Sequence, residues 1–233
     1  MRALHKVTPN EQLVAQGEYK YQLVGKPSGL KEFWSLHRTT EGDLVHRAEV
    51  RGQAAAIKVK QMTYLVLTAD YRPKQLEMRQ QISENEARTK IICHETTVAQ
   101  TITIDQEKTK SKVEVPSGYS LFLPPVSAHG FILQRYDMQA KGRQALPLVN
   151  VRIQPKGGLS LSVESVSMDY EYLNDEEIET LAGRFACRHF MRYDQHMEQQ
   201  LWLDQNGLVI QWSVPYSPIM KWDYLLVKYQ REM

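Results

Sequence analysis

The sequence predicts a mainly β protein: a large, strongly curved antiparallel sheet, a half-open β-barrel, with one short helix near its concave face. Three observations predict it. Apolar and polar residues alternate with a two-residue period along most of the chain, which marks strands with one buried and one wet face. Short turn signals separate these runs, and without helical crossovers consecutive strands pair antiparallel. Roughly twelve strands at ~4.8 Å spacing would make a flat sheet more than ~50 Å wide, and twisted sheets of that size curl, split or close. One short helix cannot cover such a sheet, but it can plug the concave side of a curled one. A closed barrel or a two-sheet sandwich is the alternative.

The elements follow in chain order. Tyr19, Tyr21 and Leu23 alternate with Glu18, Lys20 and Gln22, and strand-like runs continue at Glu32–Arg38 and Leu44–Val50, split by the turn Glu41-Gly42-Asp43. Further runs are Met62–Asp70, the alternation around Leu76 and Met78, Lys90–Thr97 and Val98–Asp105. Lys108, Lys110 and Lys112 alternate as one solvated strand edge would. After the helix region come Val149, Val151 and Ile153, a tight reversal at Gly157-Gly158, and Val166–Leu173. Phe185, Cys187, His189, Met191 and Tyr193 then alternate with Arg184, Arg188 and Arg192, which puts Arg184 and Arg192 on the wet face and makes Arg188 an ordinary surface residue if it faces water beside them. Met197–Asp204 and Leu208–Val214 flank Asn206-Gly207, the strongest hairpin dipeptide of the chain, and Trp222–Tyr229 ends the series.

Two stretches depart from this pattern. Asp175–Thr180 predicts a short acidic turn of helix. Ser127–Asp137 predicts the main helix, with Ala128, Phe131, Ile132 and Tyr136 on a largely apolar face. Ser127 is the expected N-cap, although the Pro124-Pro125 pair could also start the helix directly. Gly130 inside it costs ~1 kcal/mol against Ala.

The composition sets outer limits. The 233 residues are 42% hydrophobic and 24% charged, ordinary globular usage. A chain of this size buries about 70% of its surface and needs no staples. One domain over 1–233 is expected, with 1–15 as an N-terminal arm and 116–146 as a helix-bearing insertion. Lys plus Arg is 29 against 27 acidic residues, and the basic residues are dispersed, which argues against nucleic acid as a partner. Met1–Pro9 lacks the apolar core of an export signal, so the expected location is cytoplasmic. The longest uncharged apolar run, Gly118–Phe131, is too short and too proline-interrupted to span a bilayer, so an integral membrane protein is not expected.

Two segments together carry a family resemblance. One is Leu123-Pro124-Pro125-Val126-Ser127 followed by Phe131-Ile132-Leu133-Gln134-Arg135. The other is Gly183–Phe190 followed by Leu201-Trp202-Leu203-Asp204 and Gly207-Leu208-Val209. The combination resembles uncharacterised bacterial half-barrel families of the lipoprotein-carrier-like (LolA-like) and glycolipid-binding types. The resemblance covers mainly the C-terminal half. It implies a long curved antiparallel sheet wrapped around a helix-bearing loop.

Motifs for catalysis are sparse. Cys187 and His189 share a strand face, and Cys93-His94 could bring further soft ligands, but no C-x-x-C or H-E-x-x-H spacing is present, so no metal and no cofactor are expected. Ser127 and His129 lie outside any G-x-S-x-G elbow. An enzyme would need His94, His129 or His189 to converge with a carboxylate in a cavity. Asp175, Glu176, Glu177 and Glu179 read as a solvated charge run. Most of the strand aromatics pack a core. A subset could line an apolar groove, and the candidate ligand-binding residues are Phe131, Trp202, Trp212 and Tyr170, with Arg135 and Arg188 meeting an anionic head group. The expected function is therefore non-enzymatic binding of a hydrophobic or amphipathic, lipid-like molecule. The alternative is a structural or interaction module that pairs its open sheet edges with another copy or another protein.

Overall fold

The computed structural model describes residues 4–232 except 55, 56, 105, 155–159, 195, 196 and 218. The first meander contains β1 (Glu11–Leu23), β2 (Lys26–Thr39), β3 (Leu44–Ala54), β4 (Ile57–Leu67), β5 (Pro73–Ile82), β6 (Asn85–Cys93), β7 (Thr97–Ile104) and β8 (Glu107–Glu114). A short β9 (Ser120–Phe122) and a 3-10 helix (Val126–Arg135) lead to the second meander. That meander contains β10 (Arg143–Gln154), β11 (Ser160–Thr180), β12 (Gly183–Asp194), β13 (Met197–Leu203), β14 (Val209–Ser217) and β15 (Met220–Arg231). All fifteen strands form one sheet, because the first strand of the chain, β1, pairs with the last, β15.

Every neighbouring pair is antiparallel except β9 and β10. A parallel pair needs a crossover of a dozen or more residues. Residues 123–142 supply it, and the helix exists within that crossover. The sheet does not close, since β8 and β9 remain its two edges. It does curl. Leu65, Leu76, Met78, Ile91 and Val98 from the first meander share one core with Leu121, Val149, Val151 and Val163 from the far end of the sheet. A larger, aromatic-rich core fills the other half, around Tyr19, Trp34, Tyr170, Phe190, Leu201 and Trp212. Bulges in β1 between Leu13 and Ala15 and in β11 between Tyr172 and Asn174 bend individual strands.

Several sequence expectations are corrected. The helix is 3-10 rather than α. It begins after Pro125, which occupies the cap position with extended backbone and no side-chain cap. The proline pair starts it, and Ser127 is not its cap. Its buried residues, Val126 to Gly130, Ile132 and Leu133, lie on all sides, as a helix enclosed by a curled sheet requires. The wound-out 3-10 form gains ~2.0 Å per residue against 1.5 Å for α, so a short segment reaches across the lumen. Asp175–Thr180 is not helical: it continues β11 in register with Gly183–Arg188 of β12. The expected run Lys90–Thr97 is two strands, β6 ending at Cys93 and β7 starting at Thr97. The Gly157-Gly158 reversal and Asp105 lie outside the described residues.

Gly130 is explained by its neighbour. A Cβ there would meet the Gly207 carbonyl oxygen at 1.7 Å, so helix and hairpin turn touch backbone to backbone. Gly207 itself has φ +79° in the β13–β14 turn, where Asp204 accepts from the backbone of Leu208. On the outer face, residues 4–10 lie across the sheet. The Arg47 guanidinium, buried on both sides, pairs with Glu11 at 2.7 Å and donates to the carbonyls of His5 and Lys6.

Candidate functional site

The helix divides the lumen into a polar end and an apolar end. At its start, the Glu32 carboxylate from β2 faces the first helical turn. Tyr21 donates its hydroxyl to Glu32 at 2.6 Å, and the N–H groups of Val126 and Ser127 donate at 2.8 and 2.9 Å. The Ser127 hydroxyl donates to the same carboxylate. This arrangement supplies in space the acidic group that the first helical turn lacks in sequence. Burial raises the Glu32 carboxyl, while its hydrogen bonds from Ser127, Tyr21 and Val126 act against the rise.

His46 of β3 completes the group, with Nε2 at 2.8 Å from Ser127 Oγ. The serine proton is engaged by Glu32, so the imidazole places its N–H on Nε2 and donates. Burial, then the charge of Arg47, pushes the His46 pKa down to about 3, so the ring is neutral. Ser127 and His46 thus touch without the polarity of a nucleophile–base pair, in which the imidazole would accept the serine proton. The cluster is a latch that fixes the helix to β2 and β3.

Beyond Ser127 a cavity of about 310 Å³ opens toward the C-terminal end of the helix. Trp34, Leu36, Leu44, Tyr71, Phe131, Leu208 and Tyr229 make its apolar wall. Tyr71 stacks on Phe131 with ring centroids 5.9 Å apart, and Phe131 meets His46 edge-on at 5.4 Å. Gln134, Asn206, Arg38 and Arg231 supply polar groups. Apolar walls with a few placed polar groups are the usual makeup of a ligand pocket, and this volume is at the small end of the ~300–1,000 Å³ range.

The candidate residues from the sequence are distributed around this structure rather than gathered in one place. Phe131 lines the cavity. Arg135, at the end of the helix, borders a different hollow with Arg72, Cys93 and Tyr119. Arg188 borders a third, beside Asp175 and Cys187. Trp212 lies in the core against His129 at 4.2 Å, and Tyr170 is fully buried there. Trp202 faces the other way, because Trp212 registers with Leu201 and consecutive strand residues point to opposite faces. It stacks on His189 at 4.5 Å and donates its indole N–H to Glu176 at 2.5 Å.

The wet-face assignment of Arg192 is corrected. Its guanidinium is buried, 4.2 Å over the Phe122 ring, and its Asp194 partner stands at 3.4 Å. Cys187 is buried as well as Phe190 and Arg192, so a single alternation of buried and wet residues does not describe the whole strand. His94, His129 and His189 do not converge. His94 is on the exposed β6–β7 turn, His129 packs between Phe122 and Trp212, and His189 pairs with Glu176 at 2.8 Å. Cys93 and Cys187 are free thiols that belong to different cores.

Sequence reasoning missed Glu32, His46, Tyr71, Arg38 and Arg231. A signal for the first was present: Glu32, Trp34, Leu36 and Arg38 alternate on one face of β2, so an apolar inward row begins on a carboxylate and ends on a guanidinium.

No protein-family model matches the chain, and comparison with curated proteins gives no match. Solved structures do share the fold. The crystal structure of a β-barrel-like protein of domain of unknown function DUF1849 from Brucella abortus has a TM-score of 0.61 at 10% identity, with 95% of this chain and 98% of that chain covered. A DUF1089 family protein from Pseudomonas aeruginosa has a TM-score of 0.50 at 11% identity, with 81% of this chain and 90% of that chain covered. The likeness is one of fold: a single large antiparallel sheet in a barrel-like curl.

Proposed function

We propose that the protein binds a small hydrophobic or amphipathic molecule, without catalysis, in the cavity beside the C-terminal end of its 3-10 helix. The observation that carries this reading is the cavity itself, apolar on its walls, polar at a few points, and bounded by a helix that Glu32 holds in place. A latched helix supports the reading physically, because a pocket whose wall is already ordered binds without a further ordering cost. The volume suits a compact amphiphile or one short acyl chain, not a two-chain lipid. The sequence resemblance to lipoprotein-carrier-like and glycolipid-binding half-barrels favours the same class of ligand. Among the described residues no helix is long and apolar enough to cross a membrane.

The test is extraction of protein purified without detergent, followed by mass spectrometry of the organic phase. The expected result is a stoichiometric amphiphile from the natural chain and none from Leu208→Trp, in which the indole fills the cavity. Equal recovery from both proteins would place the molecule elsewhere and remove the proposal. The interaction-module alternative is less favoured, since edge strand β8 presents the exposed Lys108, Lys110 and Lys112, a pattern that discourages edge pairing.

A further inference from the structure

We infer that the cavity selects an amphiphile with an anionic oxygen head group, a carboxylate or a phosphate monoester, held between Arg38 and Arg231. This inference rests on the binding function proposed above and adds its charge preference. Among the described residues, the charged side chains lining the cavity are these two arginines, and no carboxylate lines it. They reach it from either side of β1: Arg38 on β2 registers with Gln12, and Arg231 on β15 registers with Ala15. Both are exposed, so neither guanidinium is desolvated before a ligand arrives. The acidic residue of the adjoining β13–β14 turn, Asp204, is committed to that turn. Its carboxylate accepts the N–H groups of Asn206 and Leu208 at 2.9 and 2.8 Å and the Asn206 amide at 3.2 Å.

The chemistry follows from this placement. Guanidinium groups grip carboxylate and phosphate oxygens with two parallel hydrogen bonds, and a cationic head would meet like charge on both sides. Gln134 and Asn206 lie on the same lining and offer neutral amides beside the head. The tail then runs inward along Trp34, toward Ser127, where the latch closes the lumen.

The experiment titrates the full chain with four probes that share one tail: decanoate, decyl phosphate, decanol and decyltrimethylammonium. Binding is read by calorimetry on the natural protein and on the double variant Arg38→Gln/Arg231→Gln, whose folding is checked by its melting temperature. We expect decanoate or decyl phosphate to bind about tenfold or more tightly than decanol, the difference expected for one hydrogen bond to a charged group. The double variant should lose this preference, binding the anions no more tightly than decanol. Equal binding of decanol and the anions, preference for the ammonium, or an unchanged preference in the double variant would overturn the inference and leave the binding function standing. Absence of binding by all four probes would overturn both.

Discussion

At its first turn the 3-10 helix meets Glu32, His46 and Tyr21, polar groups joined in one hydrogen-bonded cluster through Ser127. Farther along, Phe131 and Gln134 of the same helix face Tyr71, Leu208 and a cavity of about 310 Å³. Both ends are enclosed by the same sheet, and both take residues from β2. The difference lies in the kind of side chain β2 presents. A buried carboxylate must be surrounded by donors, so the structure closes tightly around it. Aromatic and aliphatic walls carry no such requirement and tolerate a void that a ligand can fill. The polar end therefore fixes the helix, and the apolar end uses that fixed helix as a wall.

The strongest way to break this contrast is to empty the latch. Glu32→Ala leaves the hydroxyls of Tyr21 and Ser127 and the N–H groups of Val126 and Ser127 without their acceptor. It should cost about 3–5 kcal/mol in urea unfolding, the usual penalty for removing one partner from a buried charged network. Glu32→Gln, which keeps one acceptor oxygen, should recover part of it. A loss under about 1 kcal/mol for Glu32→Ala would mean that the helix is held by packing alone.

Acid should separate the two ends next. Burial pushes His46 and His129 down to about 3, whereas unfolding returns each to its ordinary value near 6.5. For such depressed groups the unfolded chain binds more protons, so stability is full above about pH 6.5 and is lost as the pH falls from there toward 3. By pH 5 the loss is about 2 kcal/mol for each histidine. The raised Glu32 acts in the opposite sense, since its folded form takes up a proton more readily than the unfolded chain. Urea midpoints between pH 7.5 and 5 check the net fall, and His46→Gln should flatten it.

How much of this contrast the sequence shows depends on the range of the interaction. Alternation around Leu76 and Met78 was legible because β5 keeps one face inward along most of its length, and Asn206-Gly207 announced its hairpin through local backbone chemistry. Arg192 was not legible, because the ring its guanidinium covers, Phe122, comes from β9, 70 residues away, and nothing in β12 itself records it. Ser127 looked like a helix cap because its true acceptor, Glu32, is 95 residues away. Trp202 and Trp212 suggested one groove, but the register with Leu201 sends them to opposite faces. The cavity was hidden for the same reason: its lining is drawn from β1, β2, β3, the β4–β5 turn, the helix, the β13–β14 turn and β15.

Smaller perturbations sharpen the comparison at the apolar end. Gly130→Ala sets a methyl against the Gly207 carbonyl and should cost about 1–3 kcal/mol, seen as a lowered melting temperature. Leu208→Trp should change stability by less than about 1.5 kcal/mol, because it fills space rather than crowding a packed site, while abolishing ligand uptake. A large loss of stability in Leu208→Trp would mean that the space is not available to a guest.

The central claim, that the space beside the last helical turn is a binding site, is met most directly by titrating decanoate into isotope-labelled protein and following the backbone amides by NMR. The account predicts saturable shifts at Tyr71, Phe131, Gln134 and Leu208, with the amides of β6 to β8 unmoved. Shifts spread over the outer face of the sheet, or none at the cavity, would contradict it.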